Sequence, residues 1–163
     1  MAVSYTLNDN FKWLYIYENK GKKLGSRLKL SHVGAQKIHY NKYTQTLLLL
    51  GMNELPLYSI DKVSYDASLL TTLKGHDTII TSIADLGEGL IITGDDRGWM
   101  KVWDLKNMRC QQVIKVANTI NKIECIGNNL LYSDTRINMM KIEQLTQQLP
   151  LSEMFGIKQF FKF

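Results

Sequence analysis

The chain has 163 residues, 45% of them apolar and 10% aromatic, which is enough to bury a core and too much for a disordered segment. Twenty basic against fifteen acidic residues leave a net charge of +5, a mild excess that permits an acidic partner without requiring nucleic acid. The longest aliphatic run, residues 47–50, falls far short of the roughly 20 residues that span a bilayer, and the N-terminus has no secretory-signal pattern, so a soluble, cytoplasmic protein is expected.

Residues 3–7 and 12–17 read as a hairpin around Asn8-Asp9-Asn10, with Leu28-Lys29-Leu30 as its outer strand. From there a frame repeats. Ser31-His32 precedes Gly75-His76 by 44 residues, Leu48-Leu49-Leu50-Gly51 precedes Ile91-Ile92-Thr93-Gly94 by 43, and Ile60-Asp61 precedes Trp103-Asp104 by 43. Leu130-Leu131-Tyr132-Ser133 and Ile142-Glu143 follow the same frame at 39. Within each cycle a continuous apolar run (residues 46–50, 90–92 and 130–132) predicts a strand covered on both faces, and a polar turn follows it. The next strand alternates: Trp99, Lys101 and Trp103 share one face, Met100 and Val102 the other. Outer strands are expected at residues 69–73 and 111–116. No stretch before residue 140 carries apolar residues at helical spacing, so the fold class is all-β. The units run 1–30, 31–73, 74–116 and 117–145, with an aromatic tail at 146–163.

A Gly-His opening, a hairpin and a closing Trp-Asp at a period near 40–45 residues resembles a WD-repeat β-propeller. The resemblance covers residues 2–145 and is most specific over 75–105. It implies a partial propeller, roughly half a ring, of about three and a half four-stranded antiparallel blades. Such a stack is either part of a longer protein or completed by other chains, because each blade buries its faces only against neighbours. The resemblance also implies a buried hydrogen-bond network of His76, Thr93 and Trp103 with a turn aspartate, Asp95 or Asp96, since Arg97 holds the family's usual aspartate position. A further likeness, from Thr93-Gly94-Asp95 through Lys101-Val102-Trp103-Asp104-Leu105-Lys106-Asn107 to Cys110-Gln111-Gln112, is to large ciliary WD-repeat proteins. It implies a scaffold of the axoneme, near microtubules.

The remaining features are read against plainer alternatives. Cys110 and Cys125 lack metal-ligand spacing, and His32, His39 and His76 are scattered, so buried reduced thiols are expected, with no metal and no cofactor. Lys20, Lys22, Lys23, Arg27 and Lys29 form a basic segment, either a solvated loop or a contact for an acidic surface. Phe155, Ile157, Phe160, Phe161 and Phe163 end the chain as either an outer strand or a docking tail. No nucleophile or paired carboxylate accompanies His76, so an enzyme is not expected. The favoured function is a protein-protein interaction scaffold in a large assembly, with no small-molecule substrate and no membrane. A substrate-recruiting adaptor of the ubiquitin-ligase type and a basic ribonucleoprotein scaffold are the alternatives.

Overall fold

The computed structural model describes residues 2–8, 11–17, 28–30, 37–50, 52–61, 63–64, 66–116 and 118–146, the first three stretches as backbone strands alone. The strands form four antiparallel meanders. The first sheet holds β1 (Ala2–Asn8), β2 (Phe11–Tyr17) and β3 (Leu28–Leu30). The second holds β4 (Lys37–Asn41), β5 (Thr46–Leu50), β6 (Glu54–Ile60) and β7 (Ala67–Lys74). The third holds β8 (Ile80–Gly87), β9 (Leu90–Asp95), β10 (Trp99–Asp104) and β11 (Arg109–Lys115). The fourth holds β12 (Lys122–Ile126), β13 (Asn129–Ser133) and β14 (Ile137–Lys141), followed by a single helical turn, α1 (Glu143–Thr146). The architecture is all-β and that of a partial β-propeller, with strand neighbours in space following strand order in the chain.

Stacking explains the apolar runs. Leu48 and Leu50 of β5 face the third sheet, where they bury against Ile80, Ile91 and Trp103, while Leu47 and Leu49 are buried on the opposite face with Tyr58. In β9, Ile91 faces back to the second sheet and Ile92 forward to the fourth, where it packs with Met100, Val102, Ile120, Ile123 and Leu130. A strand sandwiched this way gains from apolar residues at every position, each buried aliphatic contributing about 1.5–3 kcal/mol relative to exposure. Alternation therefore disappears from the middle strands and survives in β10, where Met100 and Val102 point to the fourth sheet and Trp103 to the second.

The structure changes the frame at several points. The β10–β11 pair has a register shift between Val102 and Trp103, and β6–β7 has the same shift between Leu57 and Tyr58. Tyr58, not Ile60, thus stands at the Trp103 position, and like Trp103 it is buried on the backward face. In the fourth sheet Leu130 pairs with Met140 as Ile91 pairs with Trp103, so Met140 is the equivalent residue, and Ile142-Glu143 lies in the turn and helix beyond β14. Both cysteines are free thiols, but neither is buried as expected: Cys110 is exposed on the edge strand β11, and Cys125 is half-buried. The frame count missed these positions because the turns between the paired strands differ in length: Leu47 pairs with Tyr58, Ile91 with Trp103 and Leu130 with Met140, at separations of 11, 12 and 10 residues.

Candidate functional site

The most developed polar constellation lies where the third sheet turns toward the second. Gly75 adopts φ of +152°, and a Cβ there would sit 3.3 Å from Cη2 of Trp103, so the loop reaches β8 only because residue 75 has no side chain. That close approach delivers His76 between β9 and β10. Its Nδ1 lies 2.8 Å from Oδ2 of Asp95 and its Nε2 lies 2.7 Å from Oγ1 of Thr93. The indole N–H of Trp103 donates to the same Thr93 oxygen at 2.8 Å. With His76 neutral, one assignment satisfies every atom: Trp103 donates to Thr93, the Thr93 hydroxyl donates to Nε2, and Nδ1–H donates to the carboxylate.

Asp95 is the hub. Its Oδ1 accepts the backbone N–H groups of Arg97 at 3.0 Å and Trp99 at 2.9 Å, closing the turn between β9 and β10. Its backbone carbonyl accepts from Gly98 N at 3.1 Å, with Gly98 at φ +78°, and from Ile120 N at 3.0 Å. One residue thereby fixes the histidine, the turn and the start of the fourth sheet. Asp96 is exposed in the turn and stands outside this set. Asp104 caps the next turn, accepting from the side chain and backbone of Asn107, from Lys106 N and from the Gln111 amide, and these bonds hold its carboxyl below the ordinary carboxylate range.

His76 is 3% exposed and Thr93 0%, so no substrate atom can reach the imidazole or the hydroxyl, and every proton in the chain of bonds is committed to a partner. This network holds structure. Burial lowers the His76 pKa below its ordinary 6.5, outweighing the bond and charge of Asp95, which pull it up. The unfolded chain therefore binds a proton that the folded chain resists, and stability should fall as pH drops below about 6.5. In urea titrations at pH 7.5 and 5.5 the native chain should lose stability at the lower pH. His76→Gln, weaker overall, should show a smaller loss; an equal loss in both would contradict a neutral His76.

A second cluster, which sequence reasoning missed, joins the first strands of two sheets. Asp85 on β8 accepts from the Asn41 amide at 2.6 Å and lies 3.0 Å from Nε2 of His39, both on β4. Asn41 in turn accepts from the backbone and hydroxyl of Thr44, each at 2.8 Å. Burial works to raise the Asp85 carboxyl, but His39, Asn41 and the charge of Lys42 outweigh it and hold it below its ordinary range. The strands β4, β8 and β12 border a cavity of about 640 Å³ whose polar lining includes Lys37, His39, Asp85, Lys122 and Glu124. The signal for this cluster is weak in sequence, because His39 and Asp85 are 46 residues apart and neither sits in a motif.

Lys20, Lys22, Lys23, Arg27 and the C-terminal Phe155, Ile157, Phe160, Phe161 and Phe163 lie outside the described residues, as does His32; Lys29 lies in β3, described as backbone only. Among the described residues no group of three or more His, Cys, Asp or Glu is placed to hold a metal ion, and no helix is long and apolar enough to cross a membrane.

No protein-family model matches the chain. It is similar to a WD repeat-containing protein 55 homolog of Drosophila ananassae, 28% identical over 93 residues that make up 57% of this chain and 19% of that protein. It is similar to the human WD repeat-containing protein 37, 35% identical over 65 residues, 38% of this chain and 13% of the relative. A shorter stretch of 37 residues, 23% of this chain and 10% of the relative, is 43% identical to the ASTRA-associated protein 1 of Schizosaccharomyces japonicus. The chain thus matches about a fifth or less of the length of these relatives. The similarities support a WD-repeat family for the chain; none of the three names is ciliary.

Proposed function

We propose that the chain is a non-catalytic WD-repeat scaffold that holds other proteins in a larger assembly. One observation carries this: its best-formed polar network, from Trp103 to Asp95, is sealed from solvent and spent on internal bonds, which leaves recognition to outward surfaces. The names of two of the three relatives agree, since they are WD repeat-containing proteins. Native size fractionation of extracts from cells that express the protein tests the proposal. A scaffold elutes with stoichiometric partners, far above the mass of its own polypeptide, and RNase leaves the complex intact. Elution at its own mass would overturn the proposal, and RNase sensitivity would favour the ribonucleoprotein alternative that the +5 charge allows.

A second, finer reading places the assembly in the ciliary axoneme, near microtubules, with the Lys101-Val102-Trp103-Asp104 stretch and its continuation to Gln112 as its support. It predicts that the protein stays with detergent-extracted axonemes of ciliated cells; recovery wholly in the soluble fraction would remove it.

A further inference from the structure

The outer strand of a sheet in this fold leaves an edge that no neighbouring sheet covers, because the sheets meet face to face. Further sheets on either side would leave that edge open too. Such edges are normally kept from pairing with other chains by charge, proline or brevity. In the third sheet β11 obeys this, with Arg109 and Lys115 at its two ends. In the second sheet β7 does not. It carries no charge, proline or glycine from Ala67 to Leu73, and Leu69 and Leu70 are 50% and 45% exposed. What β7 does have is a bulge, and the bulge selects the partner.

The N–H and C=O of a strand residue point together to one side of the strand, and that side alternates along the chain. The Asp61 N–H donates to the Asp66 carbonyl at 2.9 Å, so Asp61 turns toward β7, as do Ser59, Leu57 and Leu55 by alternation along β6. Pro56, which has no N–H, falls among the residues turned away, beyond the end of the β5–β6 ladder. The partners of the inward set, Ser68, Thr71 and Leu73, spend their backbone groups on β6. Ala67, Leu69, Thr72 and Lys74 therefore present theirs to the open edge. Their separations are two, three and two residues, the three marking the bulge at Leu70, which has no partner on β6.

A regular strand offers every second residue and could match only one half of this edge. A strand with the same spacing, run antiparallel, matches all of it. We propose that the chain pairs with a second copy of itself through β7, joining the two second sheets edge to edge. The two-fold axis passes between Leu70 and Thr71, with Ala67 opposite Lys74 and Leu69 opposite Thr72 of the other copy. The charges agree. Asp66 adjoins Ala67, so Lys74 of each copy comes beside Asp66 of the other, at both ends of the contact. The Lys74 side chain is 71% exposed, and its surface pair with Glu54 at 3.1 Å leaves it free to reach further. The strand β11 has the same bulge, but pairing with its own copy would bring Lys115 beside Arg109, two like charges.

The test uses the full chain in two differently tagged copies, with the photo-crosslinking residue benzoylphenylalanine in place of Leu70. After irradiation one copy should be linked to Thr71 or its neighbours in β7 of the other. Asp66→Lys and Lys74→Asp should each cut that linkage at least about threefold, because each replaces two attractive contacts with two repulsive ones. Mixed with each other, the two variants should link as well as the unsubstituted chain does with itself, since every end then meets an opposite charge. Failure of the mixture to recover would overturn the proposal, as would linkage to β11, to residues 147–163, to a strand of another protein or to nothing. Thermal unfolding of each variant separates lost pairing from lost folding, and if a variant does not fold, the linkage map of the chain with its native charges decides alone. Self-pairing goes beyond the scaffold reading, and either can fail without the other.

Discussion

Asp95→Ala should destabilise the chain by about 3–5 kcal/mol, because three donors that share one carboxylate lose their acceptor at about 1–3 kcal/mol each, and that is a large share of a stability of roughly 5–15 kcal/mol. The loss comes from orphans. Without the carboxylate, Nδ1–H of His76 and the N–H groups of Arg97 and Trp99 have no acceptor, in a place where water does not reach the histidine. Asp95→Asn should be milder, about 1–2 kcal/mol, because the network can reverse. The introduced side-chain amide would donate to Nδ1, Nε2–H would donate to Thr93 alongside Trp103, and the Thr93 hydroxyl would turn to the Lys101 carbonyl, 3.4 Å away. Urea unfolding of the full chain measures both. Equal losses for Ala and Asn would show that the charge, and not the acceptor geometry, carries the effect. Asp96→Ala serves as the matched control, since that side chain is exposed, and should stay within about 0.5 kcal/mol.

Much of the architecture was legible because stacking writes itself into composition. A strand covered on both faces must be apolar at consecutive positions, and residues 46–50, 90–92 and 130–132 are β5, β9 and β13 or lie within them. Partner choice across sheets was harder. Counting residues from Trp103 lands on Ile60, whereas the shared bulge places Tyr58 there, and the clue was chemical: Tyr58 is the large aromatic of β6. His39 read as an isolated residue because its meaning lies on another sheet, in Asp85, and no local period reports a contact between sheets. Between Asp95 and Asp96 the sequence left a choice that the end of β9 decides. Asp95 is the last residue of the strand and turns inward to His76, and Asp96 already belongs to the turn. Cys110 departs from the usual burial of cysteine because its position on an edge strand leaves one side to solvent.

Gly94→Val should pry the fourth sheet from the third while leaving the second and third together. A Cβ on residue 94 would lie 2.7 Å from Cγ2 of Ile120 and 2.9 Å from Cδ1 of Ile123, distances that real side chains do not tolerate. Ile123 could swing its terminal methyl, but Ile120 cannot yield. Its Cγ2 can move only by turning the side chain about χ1, which full burial hinders, or by shifting the backbone, whose N–H donates to the Asp95 carbonyl at 3.0 Å and whose carbonyl accepts from the Thr81 hydroxyl. The segment before β12 is also held by Ile123 N donating to Ser82 Oγ at 2.8 Å, so it moves as a unit or not at all. Overpacking of this kind costs about 1–3 kcal/mol, concentrated at one interface. Hydrogen exchange should then accelerate across β12–β14 and stay slow in β5 and β9, with Gly94→Ala intermediate. Uniform acceleration would mean that the sheets unfold as one cooperative block and that the third-to-fourth interface is no weaker than the rest.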